Sequence, residues 1–288
     1  MKILLINHYA GSPRHGMEYR PYYLAREFVR NGHEVTIVAA SQSHVRTIQP
    51  ALNNGRPGDE VIDGVRYNWL LTPPYSGNGI SRVRNMLSFV WQLYMRARDL
   101  ANQYQPDVVI ASSTYPLDIY PARRIARLAG ARLVFEVHDL WPLSPIELGG
   151  MSRWHPFIML LQRAEDYAYH NVDVVISMLP LVHEHMKEHG LQLEKLCIVP
   201  NGIDPDERGS NPVPVPPEIS ALLERIRKEG WKIVGYTGSH GIANALDTLL
   251  DAAHLLKGEK IAIILVGDGP RKAGLMQRVE NEGLDNIR

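Results

Sequence analysis

Short apolar runs rich in β-branched residues recur along the chain. They are KILLI at Lys2–Ile6, EVTIVAA at Glu34–Ala40, GVRYNWLL at Gly64–Leu71, DVVIASS at Asp107–Ser113, ARLVFEV at Ala131–Val137, VDVVIS at Val172–Ser177 and KLCIVP at Lys195–Pro200. Between most of them lie patterns of helical period, as in YYLAREFVRNG, NMLSFVWQLYMRARDLANQY and YPARRIARLAG. A strand buried on both faces reads as a continuous apolar run, and a parallel neighbour needs a long crossover, usually a helix. The alternation predicts an α/β fold built on a mostly parallel, doubly wound sheet, with a first domain over residues 1–200.

The stretch NGIDPDERGSNPVPVPPEIS that follows is proline-rich and without periodicity. It reads as a linker over residues 201–230, with a short helix around Ala221–Lys228. From Trp231 the βα pattern resumes, with WKIVGYTGS, NALDTLLDAAHLLK, KIAIILVGDGP and RKAGLMQRVENEG. This second domain, residues 231–288, carries few strands for a self-sufficient sheet, so it is expected to be partial and the less stable part.

Composition narrows the partners. Lys plus Arg and Asp plus Glu number 31 each, so no bulk field favours nucleic acid. The single cysteine, Cys197, lies in LCIVP and is expected to be a small core residue. One thiol cannot close an internal disulfide, no run approaches the roughly 20 apolar residues of a membrane span, and MKILLINHYA turns polar too soon for a signal peptide. A cytoplasmic location is expected.

Several constellations can carry chemistry. The loop NHYAGSPRHGMEYRP, Asn7–Pro21, links a strand to a helix, but Ser, Pro, Arg and His separate Gly11 from Gly16, so it is not a tight G-x-G-x-x-G turn. EVHDLWP places His138 and Asp139 at a strand end, where open α/β sheets bind ligands; helix capping by Asp139 is the alternative. SSTYP puts the hydroxyls of Ser112 and Ser113 after another strand end, either facing the same crevice or capping a helix. GYTGSHGIAN is a second Gly-punctuated strand-to-helix loop, whose backbone N–H groups suit an anion. HEHMKEH sets His185 and His189 at i, i+4, yet no companion Cys or third carboxylate is placed nearby in an H-E-x-x-H pattern, so a solvated helix face is expected rather than a metal. In RVRNMLSFVWQLYMRARDL, the stripe Val83, Met86, Leu87, Val90, Leu93, Tyr94 and Ala97 is expected to face the core. Phe89, Trp91 and Met95 lie off it beside arginines, which suits either a wide buried face or an anionic membrane surface.

With these motifs in hand, the chain resembles the family-4 glycosyltransferases of the GT-B fold, and among them the WbuB-like transferases of O-antigen and capsule assembly. MKILLINHYAGSPRHGMEYRPYYLAREFVRNGHEVTIVAAS carries most of the likeness, and EVHDLWP, VPNGID, YTGSHGIAN and LVGDGP extend it along the chain. The resemblance implies two Rossmann-like domains, the first complete and the second partial. It implies a retaining transfer of a sugar, such as an N-acetylated amino sugar, from a UDP-sugar to a lipid-diphosphate-linked saccharide, without a metal or other cofactor. The protein would work at the cytoplasmic face of the membrane. Gly16, Met17 and Glu18 would approach the donor, with the opening loop left open to meet it. His138 would contact the transferred sugar, with Asp139 beside it and Ser112, Ser113 and Asn201 on the substrate side. Gly238, Ser239, Asn244, Gly267 and Asp268 would face the donor phosphates.

Two departures stand out. Relatives often carry G-R-x-x-x-x-K-G, whereas Ser239 and Asn244 are neutral here and stabilise a departing diphosphate less. The family's E-x7-E segment is expected beyond LVGDGP, past Arg288. A non-catalytic fragment that binds acceptor or membrane and a GT-B-fold sugar-nucleotide epimerase remain alternative readings.

Overall fold

In the computed structural model, which describes residues 1–17, 19–53, 56–77, 79–205 and 214–288, the chain divides into two compact units, Met1–Gly202 and Ile203–Arg288. The first unit carries strands β1 (Lys2–Ile6), β2 (Glu34–Ala40), β3 (Glu60–Ile62), β4 (Val65–Leu70), β5 (Val108–Ala111), β6 (Arg132–Val137), β7 (Val174–Ser177) and β8 (Leu196–Ile198). They form one sheet in the order β8-β7-β6-β5-β1-β2-β4-β3. Every neighbouring pair is parallel except β3 with β4, which is antiparallel.

The period-two alternation of a strand explains why the runs are apolar throughout. Leu4 and Ile6 of β1 join one buried cluster with Phe89, Ile125 and Leu161, while Ile3 and Leu5 join the other with Tyr22 and Ala25. Helices α1 (Tyr19–Arg30), α2 (Ile80–Met95), α3 (Ala97–Tyr104), α4 (Ile119–Ala129), α5 (Leu143–Glu147), α6 (Pro156–Asn171) and α7 (His183–Glu188) complete the unit among the described residues. The chain builds outward from β1 through β2 to β4, then returns to the other side of β1 to lay down β5. That reversal opens a crevice outside the carboxyl ends of β1 and β5, at Asn7 and Ser112.

The sequence reading needs correcting in two places. The long helix read from Arg82 to Leu100 breaks at Arg96, and Phe89, expected off the core stripe, is wholly buried, whereas Leu87 and Tyr94 are exposed. The buried arc runs through Met86, Phe89 and Leu93, displaced around the helix from the assumed stripe. Cys197 is exposed rather than in the core, because β8 is an edge strand whose one neighbour in the sheet is β7.

The second unit contains α8 (Pro217–Lys228), β9 (Lys232–Thr237), α9 (Leu246–Leu255), β10 (Ile261–Val266) and α10 (Lys272–Glu282). β9 and β10 pair in parallel from Lys232↔Ile261 to Thr237↔Val266, and Ile287 bridges Ile263. Leu246, Leu250, Ala253, Ile263, Leu275, Leu284 and Ile287 make its core.

Candidate functional site

The crevice is laced shut at its base by polar side chains from the strand ends. Asn7 Nδ2 donates to the Ser112 carbonyl at 2.6 Å and to Ser112 Oγ at 3.2 Å. The His8 N–H donates to Ser113 Oγ at 3.0 Å, and the Ser113 N–H donates to Asp118 Oδ2 at 3.1 Å. Ser113 is therefore a buried stitch between β1 and β5, with its hydroxyl engaged by backbone.

Ser112 has a different setting. Its hydroxyl donates to Glu136 Oε2 at 2.6 Å and lies 3.0 Å from His138 Nε2, which is itself 3.3 Å from the same carboxylate oxygen. The other oxygen, Glu136 Oε1, accepts from Arg20 Nε at 3.1 Å and lies 3.0 Å from Arg20 Nη2. Arg20 also donates to the Val199 carbonyl at 2.8 Å, the Pro200 carbonyl at 3.2 Å and Asn201 Oδ1 at 2.9 Å. The start of α1, the ends of β5 and β6 and the chain leaving β8 thus converge on one carboxylate.

Glu136 is buried, and burial pushes its carboxyl upward. The His138 ring, the Ser112 hydroxyl and the Arg20 guanidinium outweigh that and hold it below the usual carboxylate range. An ionised carboxylate only accepts, and the Ser112 proton is already given to it, so His138 Nε2 must carry the proton it shares with these oxygens. In its neutral form the ring then has Nδ1 as its unprotonated nitrogen, and Nδ1 makes no hydrogen bond among the described residues. His138 is partly exposed, so Nδ1 is the polar atom this network offers at the crevice.

Asp139 does not join the network. It accepts from Ser144 Oγ at 2.6 Å and so holds the short helix α5. Deeper in the crevice, burial depresses His8 to about 3 and raises Asp118 to about 7. His8 Nδ1 meets the Tyr115 hydroxyl, while its Nε2 and Asp118 Oδ1 lack a hydrogen-bond partner among the described residues.

The opening loop is packed rather than open. A Cβ on Gly11 would stand 2.3 Å from the Met17 carbonyl oxygen, and one on Gly16, at φ +81°, would stand 1.9 Å from Thr47 Oγ1. His15 bridges Ser12 Oγ at 2.9 Å and Glu60 Oε1 at 3.2 Å. Buried Arg46 donates to the Ala10 carbonyl at 2.8 Å and the Ala40 carbonyl at 2.6 Å while lying over the Trp69 ring. The glycines answer close approach within the unit. Met17 is exposed beyond them, and Glu18 lies outside the described residues.

In the second unit the two Gly-rich loops interlock. The Gly238 N–H donates to the Val266 carbonyl at 3.0 Å and the His240 N–H to the Asp268 carbonyl at 2.8 Å. A Cβ on Gly267 would stand 1.8 Å from the Gly238 carbonyl oxygen. The Ser239 carbonyl accepts from Asn244 Nδ2 at 2.7 Å, and Asp268 Oδ1 from the Gly269 N–H at 2.8 Å. The N–H groups of Gly238 and His240 are thus spent between the loops, and Asn244 serves as a loop brace.

Sequence reasoning missed Glu136 and Arg20. A carboxylate inside the apolar run ARLVFEV was a legible anomaly, as was an arginine in the first turn of a helix, where the macrodipole disfavours a cation.

Residues 15–202 match the family described as Glycosyl transferase 4-like domain. The chain is 26% identical over 188 residues to the Escherichia coli K12 protein WcaI, described as a colanic acid biosynthesis glycosyl transferase, covering 64% of this chain and 46% of that protein. It is 24% identical over 203 residues to the Pseudomonas aeruginosa glycosyltransferase WbjE, covering 69% and 48%. The chain spans about half the length of these curated relatives. Among solved structures, it resembles the sucrose-phosphate synthase of Thermosynechococcus elongatus with a TM-score of 0.68 at 15% identity, over 99% of this chain and 69% of that one. Anabaena HepE in complex with UDP and glucose follows the same fold with a TM-score of 0.61 at 18% identity, over 100% and 68%. The α/β architecture is that of the GT-B glycosyltransferases.

Proposed function

We propose a function from one premise: the chain belongs to the family of glycosyl transferase 4-like domains. The protein carrying it transfers a sugar from a nucleotide-sugar donor to a saccharide acceptor in surface polysaccharide assembly. The donor is a UDP-sugar, a reading supported by the UDP and glucose bound to Anabaena HepE. The acceptor is a lipid-diphosphate-linked saccharide, and the anomeric configuration is retained without a metal ion.

The observation that carries this reading is the setting of His138 at the crevice, with Nε2 against Ser112 and Glu136 and Nδ1 without a partner among the described residues. With Nε2–H tied to Ser112 and Glu136, Nδ1 accepts a hydrogen bond from a hydroxyl of the transferred sugar and orients it. Glu136 has both oxygens committed, so it positions the ring and does not attack the anomeric carbon. In this reading Met17 is assigned to the donor, Ser112 and Asn201 to the acceptor, and the loops at Gly238, Ser239, Gly267 and Asp268 to the diphosphate. Ser239 and Asn244 bring no positive charge, so backbone N–H groups and neighbouring cations carry its stabilisation.

The protein works at the inner face of the membrane. No helix among the described residues is long and apolar enough to cross one. On α2, however, Leu87, Trp91, Tyr94 and Met95 are exposed, as are Arg84 of α2 and Arg98 of α3, which suits docking to anionic lipid.

Product analysis with labelled UDP-sugar and a lipid-diphosphate saccharide tests the reading. A new glycosidic product with retained anomeric configuration supports it. An isomerised nucleotide sugar would instead show an epimerase, and no turnover by the whole protein would leave a binding module.

A further inference from the structure

The two histidines at i, i+4 on α7 meet carboxylates that their local sequence does not contain. His185 Nε2 lies 3.1 Å from Glu165 Oε1, and His189 Nδ1 lies 2.8 Å from Asp166 Oδ1, both carboxylates coming from α6. One ligand atom from each of Glu165, His185 and His189 falls within 4.8 Å of the other two. Glu165 is buried, the two rings are partly exposed, and the Tyr169 hydroxyl donates to Glu165 Oε1 at 3.0 Å, the kind of outer contact that orients a metal-binding carboxylate.

A neighbouring amide sits within the same cluster. Gln162 Nε2 stands 2.9 Å from Glu165 Oε2, 2.8 Å from Asp166 Oδ1 and 2.8 Å from His189 Nδ1. Its two hydrogens serve the two carboxylate oxygens, while His189 Nδ1 donates to Asp166 Oδ1 at 2.8 Å. The amide sits where these side chains converge, and its flexible side chain can leave that point free.

We propose that Glu165, His185 and His189, with Asp166 as a fourth ligand, bind a divalent first-row transition ion of the zinc class. Imidazole nitrogen with carboxylate oxygen is a donor set that suits zinc and is poorly matched to magnesium. Ligation requires the converging atoms to close to roughly 2.0–2.2 Å of the ion, a contraction that side-chain rotation on two adjacent helices supplies. The ion clips α7 onto α6. It thereby steadies the segment between β7 and α7, whose Met178 N–H donates to the Val137 carbonyl, next to His138, at 3.3 Å. This site is separate from the proposed transfer chemistry and does not depend on that reading.

The test uses the full chain, stripped by a chelator and titrated at neutral pH with zinc chloride against a chromophoric competitor. Binding of about one ion per chain is expected, with magnesium chloride failing to displace it. Cobalt chloride should give the visible absorption of a low-coordinate nitrogen and oxygen site. His185→Gln and His189→Gln should each weaken zinc by roughly tenfold or more, whereas His183→Gln should not. Glu165 is buried and its replacement can unfold the unit, so Gln162→Ala provides an independent check. It removes the competing amide and should leave zinc binding equal or tighter. No binding by the folded chain, or unchanged affinity in the His185→Gln/His189→Gln double variant, would overturn the proposal and leave two ordinary histidine–carboxylate pairs.

Discussion

Glu136 shows what one buried charge asks of its neighbours. Unpaired, it would cost several kcal/mol, and its two oxygens are instead shared among Arg20, Ser112 and His138. Removing a partner should therefore have different consequences at the two ends of the network. Arg20→Ala leaves the buried Glu136 Oε1 without its cation and should destabilise the first unit by about 3–5 kcal/mol in urea titration. A loss under about 1 kcal/mol would mean that water already solvates Glu136. His138→Ala, at the partly exposed mouth, should cost less stability but lower kcat by about a hundredfold or more in the intact enzyme; undiminished turnover would remove His138 from the site. His8 and Asp118 make a second residue-scale prediction. With His8 depressed to about 3, the unfolded chain binds its proton first as pH falls below 6.5, so stability from this group falls with acidification. With Asp118 raised to about 7, the folded chain holds the proton above 3.8, so stability from this group falls as pH rises toward 7. The two slopes oppose each other between pH 3.8 and 6.5. Asp118→Asn should gain on the parent by roughly 1.4 kcal/mol per pH unit as pH rises through that window, and His8→Gln should show the reverse. Parallel stability curves would mean that neither group is buried in its written ionisation state.

At the scale of elements, legibility followed how locally each feature is encoded. The strands of the first unit could be read because burial on both faces writes itself into each run, with Leu4 and Ile6 on one face and Ile3 and Leu5 on the other. The crevice at Ser112 and His138 followed from strand ends alone. The Arg20–Glu136 bond joins residues 116 positions apart, and nothing local names that partner. Likewise, the carboxylates facing His185 and His189 come from another helix. The face of α2 was misread for the same reason: periodicity identifies an apolar arc, but Phe89, Leu87 and Tyr94 compete for it, and packing against the sheet decides. That decision leaves Leu87, Trp91, Tyr94 and Met95 outside. If this surface docks to a membrane, each basic residue beside it contributes about 1 kcal/mol on anionic lipid, weakened by salt. Arg84→Glu with Arg98→Glu should abolish co-sedimentation with phosphatidylserine vesicles, and Trp91→Ser should weaken it without changing its salt dependence. Parent protein that stays in the supernatant at low salt would defeat the membrane reading.

At the scale of the molecule, the two units differ in how well each covers its sheet. The first packs apolar side chains against both faces of eight strands. The second has one small cluster around a parallel pair, and parallel strands are ordinarily buried on both faces. Here Val234 of β9 is 46% exposed and Val266 of β10 is 55% exposed, so part of the apolar surface that should drive folding still faces solvent. Each buried side chain contributes about 1.5–3 kcal/mol against the entropy of ordering the chain, and a core of this size leaves little surplus. In the 288-residue chain, unfolding should therefore proceed in two stages. Amides of β9 and β10 should exchange well before those of β1, β5 and β6, and mild proteolysis should release an intact first unit by cleavage in the proline-rich linker after Gly202. Hydrogen exchange read by mass spectrometry decides the matter. Equal protection of Ile263 and Leu5, lost together in one cooperative transition, would show that the second unit draws its stability from outside its own core.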